Sequence, residues 1–339
     1  MASHKDLMQM VRDGLGTLVF AFGHKVGIID AFIELKDPCT VEELSQKSGL
    51  NSRYIQEWLG CMLAAGVVRI NKEKKYSLPY SKDLLKRWGH IASVIPIFSE
   101  LFGKLAEDMS KEKPEGYTYY QPFLKWLDIF QTPEAVHSWN NNLVIPVLNL
   151  KSGKDFTLLD LGCGYGRHVR DIAEQYPDCH IFGIDSDEES IKQANIELAK
   201  TTLQNVKYEI MDGGKLPDDW VGKFDFVIMN DVLHDAYEVD SILKETKKVL
   251  KDDGYGAAFD PPVSSYPENL VNDKTAQFYM PFSLFSCLPE SLSGPPGGEG
   301  LGAGWGYERR KEKIEKHGFQ VIKVHKDVDK VQDGIVFKK

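Results

Sequence analysis

The ten residues 157–166, TLLDLGCGYG, constrain the fold of this chain more than any other stretch. An apolar run, Leu158-Leu159-Asp160-Leu161, enters a turn with glycine at three alternate positions, Gly162, Gly164 and Gly166. Glycine at that density lets a backbone turn sharply and approach a ligand closely. From residue 156 onward, short apolar runs alternate with helix-length segments. Strands are predicted at 156–161, 180–185, 205–210, 224–230, 254–260, 319–325 and 331–337, and helices near 167–176, 187–200, 237–250 and 307–317. Such alternation predicts an open, mainly parallel α/β sheet with helices on both faces. Ligands of such sheets lie beyond the carboxyl ends of the strands, where the strand order switches.

The turn narrows the ligand. A dinucleotide fingerprint needs G-x-G-x-x-G, but here Arg167 follows Gly166 directly. A phosphate-binding Walker loop is excluded because no G-K-[ST] follows. Asp160, two places before the first glycine, would repel a pyrophosphate and welcome a cationic amino-acid moiety. The sequence therefore points away from NAD and toward a ligand with an amine and a sulfonium. In CHIFGIDSDEES, Asp185 ends the second strand, where a carboxylate can take both ribose hydroxyls, and Ser186 with Glu189 can cap the next helix. Asp212, in EIMDGGKLP, can accept from an adenine amino group, and FDFVIMNDVLHD closes the fourth strand.

Taken together, these strand ends resemble the class I S-adenosylmethionine-dependent methyltransferases over about residues 156–260. The fuller chain resembles a winged-helix methyltransferase family of bacteria and animals, with an H-D after strand four and a late GLGAGWG followed by an acid. The resemblance implies a Rossmann-like sheet of order 3-2-1-4-5-7-6 with its last strand antiparallel. It implies that Gly162, Gly164 and Gly166 cradle the methionine part, that Asp185 holds the ribose, that Asp212 and Gly213 face adenine, and that Asn230 lies beside the sulfonium. S-adenosyl-L-methionine is the expected cofactor.

His234, in VLHDAY, falls just past strand four, where the methyl group would point. Histidine titrates near neutrality and can take a proton from a substrate attacking the methyl carbon. The stretch is similar to the H-D-W segment of plant-type small-molecule O-methyltransferases, in which the histidine is the general base and two acids orient it. That similarity assigns the orienting roles to Asp260 (GAAFDPP) and Glu308 (GWGYERR). It departs at Ala236, which stands where that family has tryptophan. The expected activity is methyl transfer to an oxygen or nitrogen of a small molecule. No His/Cys/Asp cluster has convincing metal-ligand spacing, and no metal is expected, although Asp231 and Asp235 leave the matter open.

In the front third, Thr40 with Glu43 forms a capping box, Gly49 stops that helix, and Asn51 or Ser52 caps a second one to about Ala65. VVRINKEKKYSL then reads as a hairpin. Two helices and a β-wing, preceded by a helix in VGIIDAFIEL, resemble a winged-helix module. Such modules bind DNA through several phosphate and base contacts. Between Asn51 and Gly66 the only basic residue is Arg53, with Glu57 against it. A dimerisation or pocket-walling role is therefore expected, and the alternative of a cofactor-sensing DNA-binding regulator is the less favoured one.

The expected organisation is a winged-helix and dimerisation domain at 1–85, an aromatic-rich helical linker at 86–150 contributing to the substrate pocket, and a catalytic domain at 151–339. An insertion at 261–306 carries seven glycines in its last thirteen residues and reads as a solvated linker or a lid. Tyr120, Trp139 and Trp305 are candidates for the acceptor pocket, since aromatic walls are common in small-molecule sites. A net charge of −9 disfavours nucleic acid, and no stretch approaches the ~20 apolar residues of a membrane span. The opening MASHKDLMQMVRDG lacks a signal-peptide core, and five scattered cysteines fit a reducing compartment. A cytoplasmic homodimer is expected.

Overall fold

In the computed structural model, which describes residues 4–35, 38–118, 120–127, 130–150, 154–294, 297–328 and 332–339, the predicted caps of the front third are in place. Thr40 Oγ1 accepts from the Glu43 N–H at 3.1 Å while Glu43 accepts from the Thr40 N–H at 2.7 Å, so two otherwise orphaned donors are satisfied. The helix Val41–Ser48 ends at Gly49 in the left-handed region, and Asn51 caps Ser52–Ala64. Ile55, Leu59 and Met62 of that second helix are fully buried with Ile29 and Leu44. The wing is a short antiparallel pair, β1 (Arg69–Ile70) and β2 (Tyr76–Ser77). On the helix that a DNA-binding module would offer to a groove, Arg53 is paired with Glu57.

The chain divides into two compact units, 1–104 and 105–339. The helical stretch expected at 86–150 is thus shared between them. The expected start of the last domain, at 151, lies outside the described residues.

The second unit holds a seven-stranded sheet of β3 (Thr157–Leu161), β4 (His180–Asp185), β5 (Val206–Ile210), β6 (Phe224–Asn230), β7 (Leu250–Asp260), β8 (Gln320–Val328) and β9 (Gln332–Lys338). Its order is β5-β4-β3-β6-β7-β9-β8, with β9 antiparallel to both neighbours. Counted from the sheet's own first strand this is the expected 3-2-1-4-5-7-6. Period-two alternation sends Leu158, Ile181 and Ile228 into one apolar layer and Leu159, Leu161, Val227 and Met229 into the other. Helices Arg167–Gln175, Glu188–Leu198, Val239–Val249 and Gly306–Lys316 connect and cover the strands.

Two local details differ from the sequence reading. Asp187, not Ser186, caps Glu188–Leu198, accepting from the Ser190 N–H at 2.9 Å; a carboxylate there also meets the positive end of the helix dipole. β7 begins at Leu250 rather than 254, where Lys251 Nζ reaches both oxygens of Asp225 at 2.7 Å and holds the extra turn of strand against β6. Residue 331, the expected first residue of the last strand, lies outside the described residues.

Candidate active site

The switch in strand order falls between β3 and β6, whose neighbours run outward in opposite directions. There the Gly162 and Cys163 N–H groups both donate to the Ile184 carbonyl, at 2.8 and 2.9 Å, folding the turn back over β4. Gly166 has φ +67°, and a Cβ there would lie 2.4 Å from the Tyr208 ring, whose hydroxyl donates to the Gly166 carbonyl at 2.7 Å. Gly164 is different. It has φ +51° with nothing within 4 Å of the place a Cβ would occupy. One glycine is required by close packing, the other leaves a cradle.

Asp185 accepts from the Gly164 N–H through Oδ2 and from the Asp187 N–H through Oδ1, both at 2.9 Å. These bonds aim its carboxylate along the crevice, while burial pushes its pKa up. Asp160 is 2% exposed and its Oδ1 has no hydrogen-bond partner. Burial, reinforced by Asp185, pushes it up to about 7. An orphaned buried carboxyl is costly, and a cationic ligand relieves that cost. The open cradle and the orphaned acid fit an amino-acid-bearing cationic cofactor.

Asp212 is held at the end of β5, accepting from the Gly214 N–H at 2.8 Å and the Tyr237 hydroxyl at 2.9 Å. At Gly213 a Cβ would meet Leu161 at 2.7 Å. Asn230 closes β6, its Oδ1 accepting from Gln332 Nε2 at 2.9 Å, and the same amide reaches Asp231 Oδ2 at 2.7 Å.

His234 lies in the turn between β6 and Val239–Val249, 3% exposed. Its Nδ1 is 2.6 Å from Asp260 Oδ1, which also accepts from the His234 N–H at 3.2 Å. This double contact fixes the ring and directs Nε2 away from Asp260. Arg310, 1% exposed, places Nε 3.5 Å from the other oxygen of Asp260, so a buried cation stands behind the acid. Asp235 Oδ1 lies 2.9 Å from Nε2 yet makes no hydrogen bond, and burial pushes Asp235 well above the usual carboxylate range.

Glu308 is engaged elsewhere. Its two oxygens accept from Ser264 Oγ at 2.8 Å and from the Ser265 N–H at 2.7 Å. Ser264 and Tyr307 line a cavity of about 250 Å³ together with Asn269, Asp273 and Asp333. The described hydrogen bond at His234 Nδ1 is the one to Asp260.

Among the aromatic candidates, Trp139 donates to Gln332 Oε1 at 3.0 Å and packs edge-on against His168 and Phe259, bracing the amide that holds Asn230. Trp305, 8% exposed, is buried in the apolar layer that contains Leu159 and Leu161. The Tyr120 carbonyl starts the helix Gln121–Leu127 by accepting from the Phe123 N–H at 2.8 Å. The glycine-rich strap is tied to the turn after β6, to the helix Val239–Val249 and to the insertion's own helical segment. Gly302 donates to the His234 carbonyl at 2.9 Å, Glu299 accepts from the Val239 N–H at 2.8 Å, and Ala303 donates to Ser283 Oγ at 2.9 Å.

Sequence reasoning missed Arg310, Gln332, Tyr237, Cys287 and Glu290. Only Arg310 left a trace, since Gly306, Arg310 and Ile314 share one helix face at four-residue spacing and all three are buried. Glu290, in the helix Leu288–Leu292, has a buried Oε2 without a partner and is pushed up to about 7 by burial, then by Asp185 and Asp187.

Comparison with known proteins finds two matching families. Residues 152–288 match the family described as a methyltransferase domain, and residues 14–86 match the Rv2258c-like winged helix-turn-helix domain. N-methyltransferase 4 of Papaver somniferum is 28% identical over 104 residues, which is 31% of this chain and 29% of that protein. The chain thus spans about three-tenths of that curated relative's length. The solved mitomycin 7-O-methyltransferase superposes with a TM-score of 0.70 at 15% identity, covering 99% of this chain and 97% of its own. Human N-acetylserotonin methyltransferase in complex with SAM superposes at 0.65 and 17% identity, covering 100% and 99%. At such identities the two structures are evidence of a shared fold.

Proposed function

This chain carries a methyltransferase domain behind a winged helix-turn-helix domain, and from that premise we propose that it transfers a methyl group from S-adenosylmethionine to an oxygen or nitrogen of a small molecule, with His234 as general base. The observation that carries the proposal is the crevice at the ends of β3 and β4. There an unpartnered, buried Asp160 oxygen stands beside a glycine turn whose Gly164 has open space in place of a Cβ.

S-adenosylmethionine supplies an electrophilic methyl group on a sulfonium. Asp160 would offer a negative charge to its cationic end, Asp185 would accept from the ribose hydroxyls, Asp212 and Gly213 would face the adenine, and Asn230 would border the sulfonium side. At the reacting end, Asp260 holds the Nδ1–H of His234, so the neutral ring presents a lone pair at Nε2. That nitrogen would take the proton from the acceptor hydroxyl or amine as its oxygen or nitrogen bonds to the methyl carbon and the methyl–sulfur bond breaks, leaving S-adenosylhomocysteine, and Asp260 would stabilise the resulting imidazolium. Burial of His234 and the strap over its carbonyl keep water from competing for the same proton.

A homodimer fits the first helix, His4–Lys25, which leaves Leu7, Met10, Val11, Leu15, Leu18 and Phe22 exposed. Apolar side chains repeated along one helix are a face for a second copy. The five free cysteines suit a reducing, cytoplasmic setting. No helix among the described residues is long and apolar enough to cross a membrane.

The deciding experiment is calorimetric titration with S-adenosylhomocysteine, followed by incubation with labelled cofactor and a metabolite extract. Stoichiometric binding and a newly labelled metabolite are expected. A chain that binds neither S-adenosylhomocysteine nor S-adenosylmethionine would remove the proposal.

A further inference from the structure

Beside the proposed base lies a second constellation. His234, Asp235 and Cys287 each place one ligand atom within 4.8 Å of the other two. They come from two distant parts of the chain, the turn after β6 and the helical segment Ser283–Cys287 of the insertion. Because Nδ1 belongs to Asp260, the nitrogen left to this trio is Nε2. Asp235 Oδ1 approaches Nε2 to 2.9 Å without forming a hydrogen bond, and the Cys287 thiol leans on the same carboxyl. Three unlike donors thus converge on one point, with Asp235 between the imidazole and the thiol.

We infer that His234 Nε2, Asp235 and Cys287 form a three-ligand site for a borderline divalent cation, with zinc(II) as its probe. Imidazole nitrogen, carboxylate oxygen and thiolate sulfur are the donor types zinc takes, at ~2.0–2.3 Å each, and three of them leave one position open. The spacing is one such an ion can draw together. This inference rests on the reading of His234 as general base for its consequence, though not for the site itself. An ion on Nε2 occupies the lone pair that the acceptor's proton needs, so the metal silences methyl transfer.

The test uses the full chain, dialysed against chelator. Calorimetry with zinc(II) is expected to give one ion per chain, and cobalt(II) a thiolate-to-cobalt charge-transfer band. In Cys287→Ser the band is expected to vanish, and zinc affinity to fall by more than the roughly 10–100-fold that loss of a supporting outer partner costs. Retained S-adenosylhomocysteine binding shows that this variant is folded. Asp235→Asn provides a second variant, with the same loss of affinity expected. One equivalent of zinc is expected to suppress turnover in the unmodified chain, with the ratio of activities with and without zinc returning toward one in Cys287→Ser. No stoichiometric binding, no thiolate band, or an unchanged affinity in Cys287→Ser would overturn the site. Zinc that binds with the thiolate band yet leaves turnover intact would support the site and overturn His234 as base. Failure to bind zinc alongside inactivity of His234→Ala would overturn the site and leave the base standing.

Discussion

The two ends of the candidate site differ in how their acids are held. At the cofactor end Asp185 and Asp212 are held by hydrogen bonds, but Asp160 Oδ1 is buried and unpaired, and Gly164 faces open space. At the reacting end the acid beside the proposed base is engaged through one oxygen: Asp260 Oδ1 holds both the backbone and the ring of His234, with Arg310 behind it, while Asp235 Oδ1 is left without a hydrogen bond and Glu308 accepts from Ser264 and Ser265. The first end gains most from an arriving cation. The second is assembled before anything arrives, which is what a base that must act in one orientation requires. The contrast implies that substitutions at one end alter binding and at the other alter turnover.

The sharpest test of that division is His234→Ala. Loss of a general base lowers kcat by roughly 10²–10⁴-fold, and S-adenosylhomocysteine affinity is expected to stay nearly unchanged. Steady-state kinetics beside calorimetry measure both. An equal loss of cofactor affinity would break the comparison, making His234 a packing residue of the crevice.

Asp185→Ala is the mirror experiment. Hydrogen bonds to a charged group are worth ~1.5–3 kcal/mol, so cofactor affinity is expected to weaken by roughly 10–100-fold. Because Asp185 also receives the Gly164 and Asp187 N–H groups, its loss loosens the turn as well. Unchanged affinity would remove the ribose from this carboxylate.

Asp160 gives the comparison a pH axis. Its pKa of about 7 is raised by burial and by Asp185, so the neutral form predominates below neutrality. A cationic ligand favours the ionised form, and binding must expel the proton. Below pH 7, S-adenosylmethionine affinity is expected to fall by about tenfold per pH unit, and above it to level off. In the empty protein the same shift works against folding as pH rises from the ordinary aspartate range toward 7, because the unfolded chain ionises first. Asp160→Asn is expected to flatten the affinity profile, and a slope that persists in this variant would assign it to Asp185 or Glu290.

These regions were unequally legible in the sequence. The cofactor end is written locally: an apolar run, three alternate glycines and an acid at each strand end are read within a few residues of one another. The sheet order followed from the resemblance those motifs carry. The caps at Thr40, Gly49 and Asn51 were likewise local. The reacting end depends on contacts between distant segments. Asp260 and His234 could be singled out because one ends a strand and the other follows one by a few residues, whereas Arg310 is one cation among many in YERRKEK, and Gln332 reaches Asn230 across 102 positions of sequence. Cys287 and Glu290 sit in an insertion with no motif to announce them. A side chain presented by an insertion has its role set by where the insertion folds back, and no periodicity records that.

The finest discrimination lies in Glu308, where resemblance and geometry diverge. If it oriented His234, Glu308→Gln would approach the loss expected of His234→Ala. Its oxygens instead hold Ser264 and Ser265. Burial alone would raise its pKa, but the Ser265 N–H and the serine hydroxyls outweigh burial and keep it below the usual glutamate value. A glutamine retains the shape and loses the charge, so a loss of about 1 kcal/mol of stability is expected at pH 7. The sign follows from the lowered pKa: the stabilisation is present above the unfolded glutamate's titration near 4.5 and is lost as pH falls through the lower folded value. Denaturation of wild type and Glu308→Gln is therefore expected to differ at neutral pH and to converge in acid. With Asp260 alone holding the ring, kcat is expected to stay within about tenfold, short of a general base's share. A hundredfold fall in kcat without a change in KM would return Glu308 to the histidine as a second orienting acid.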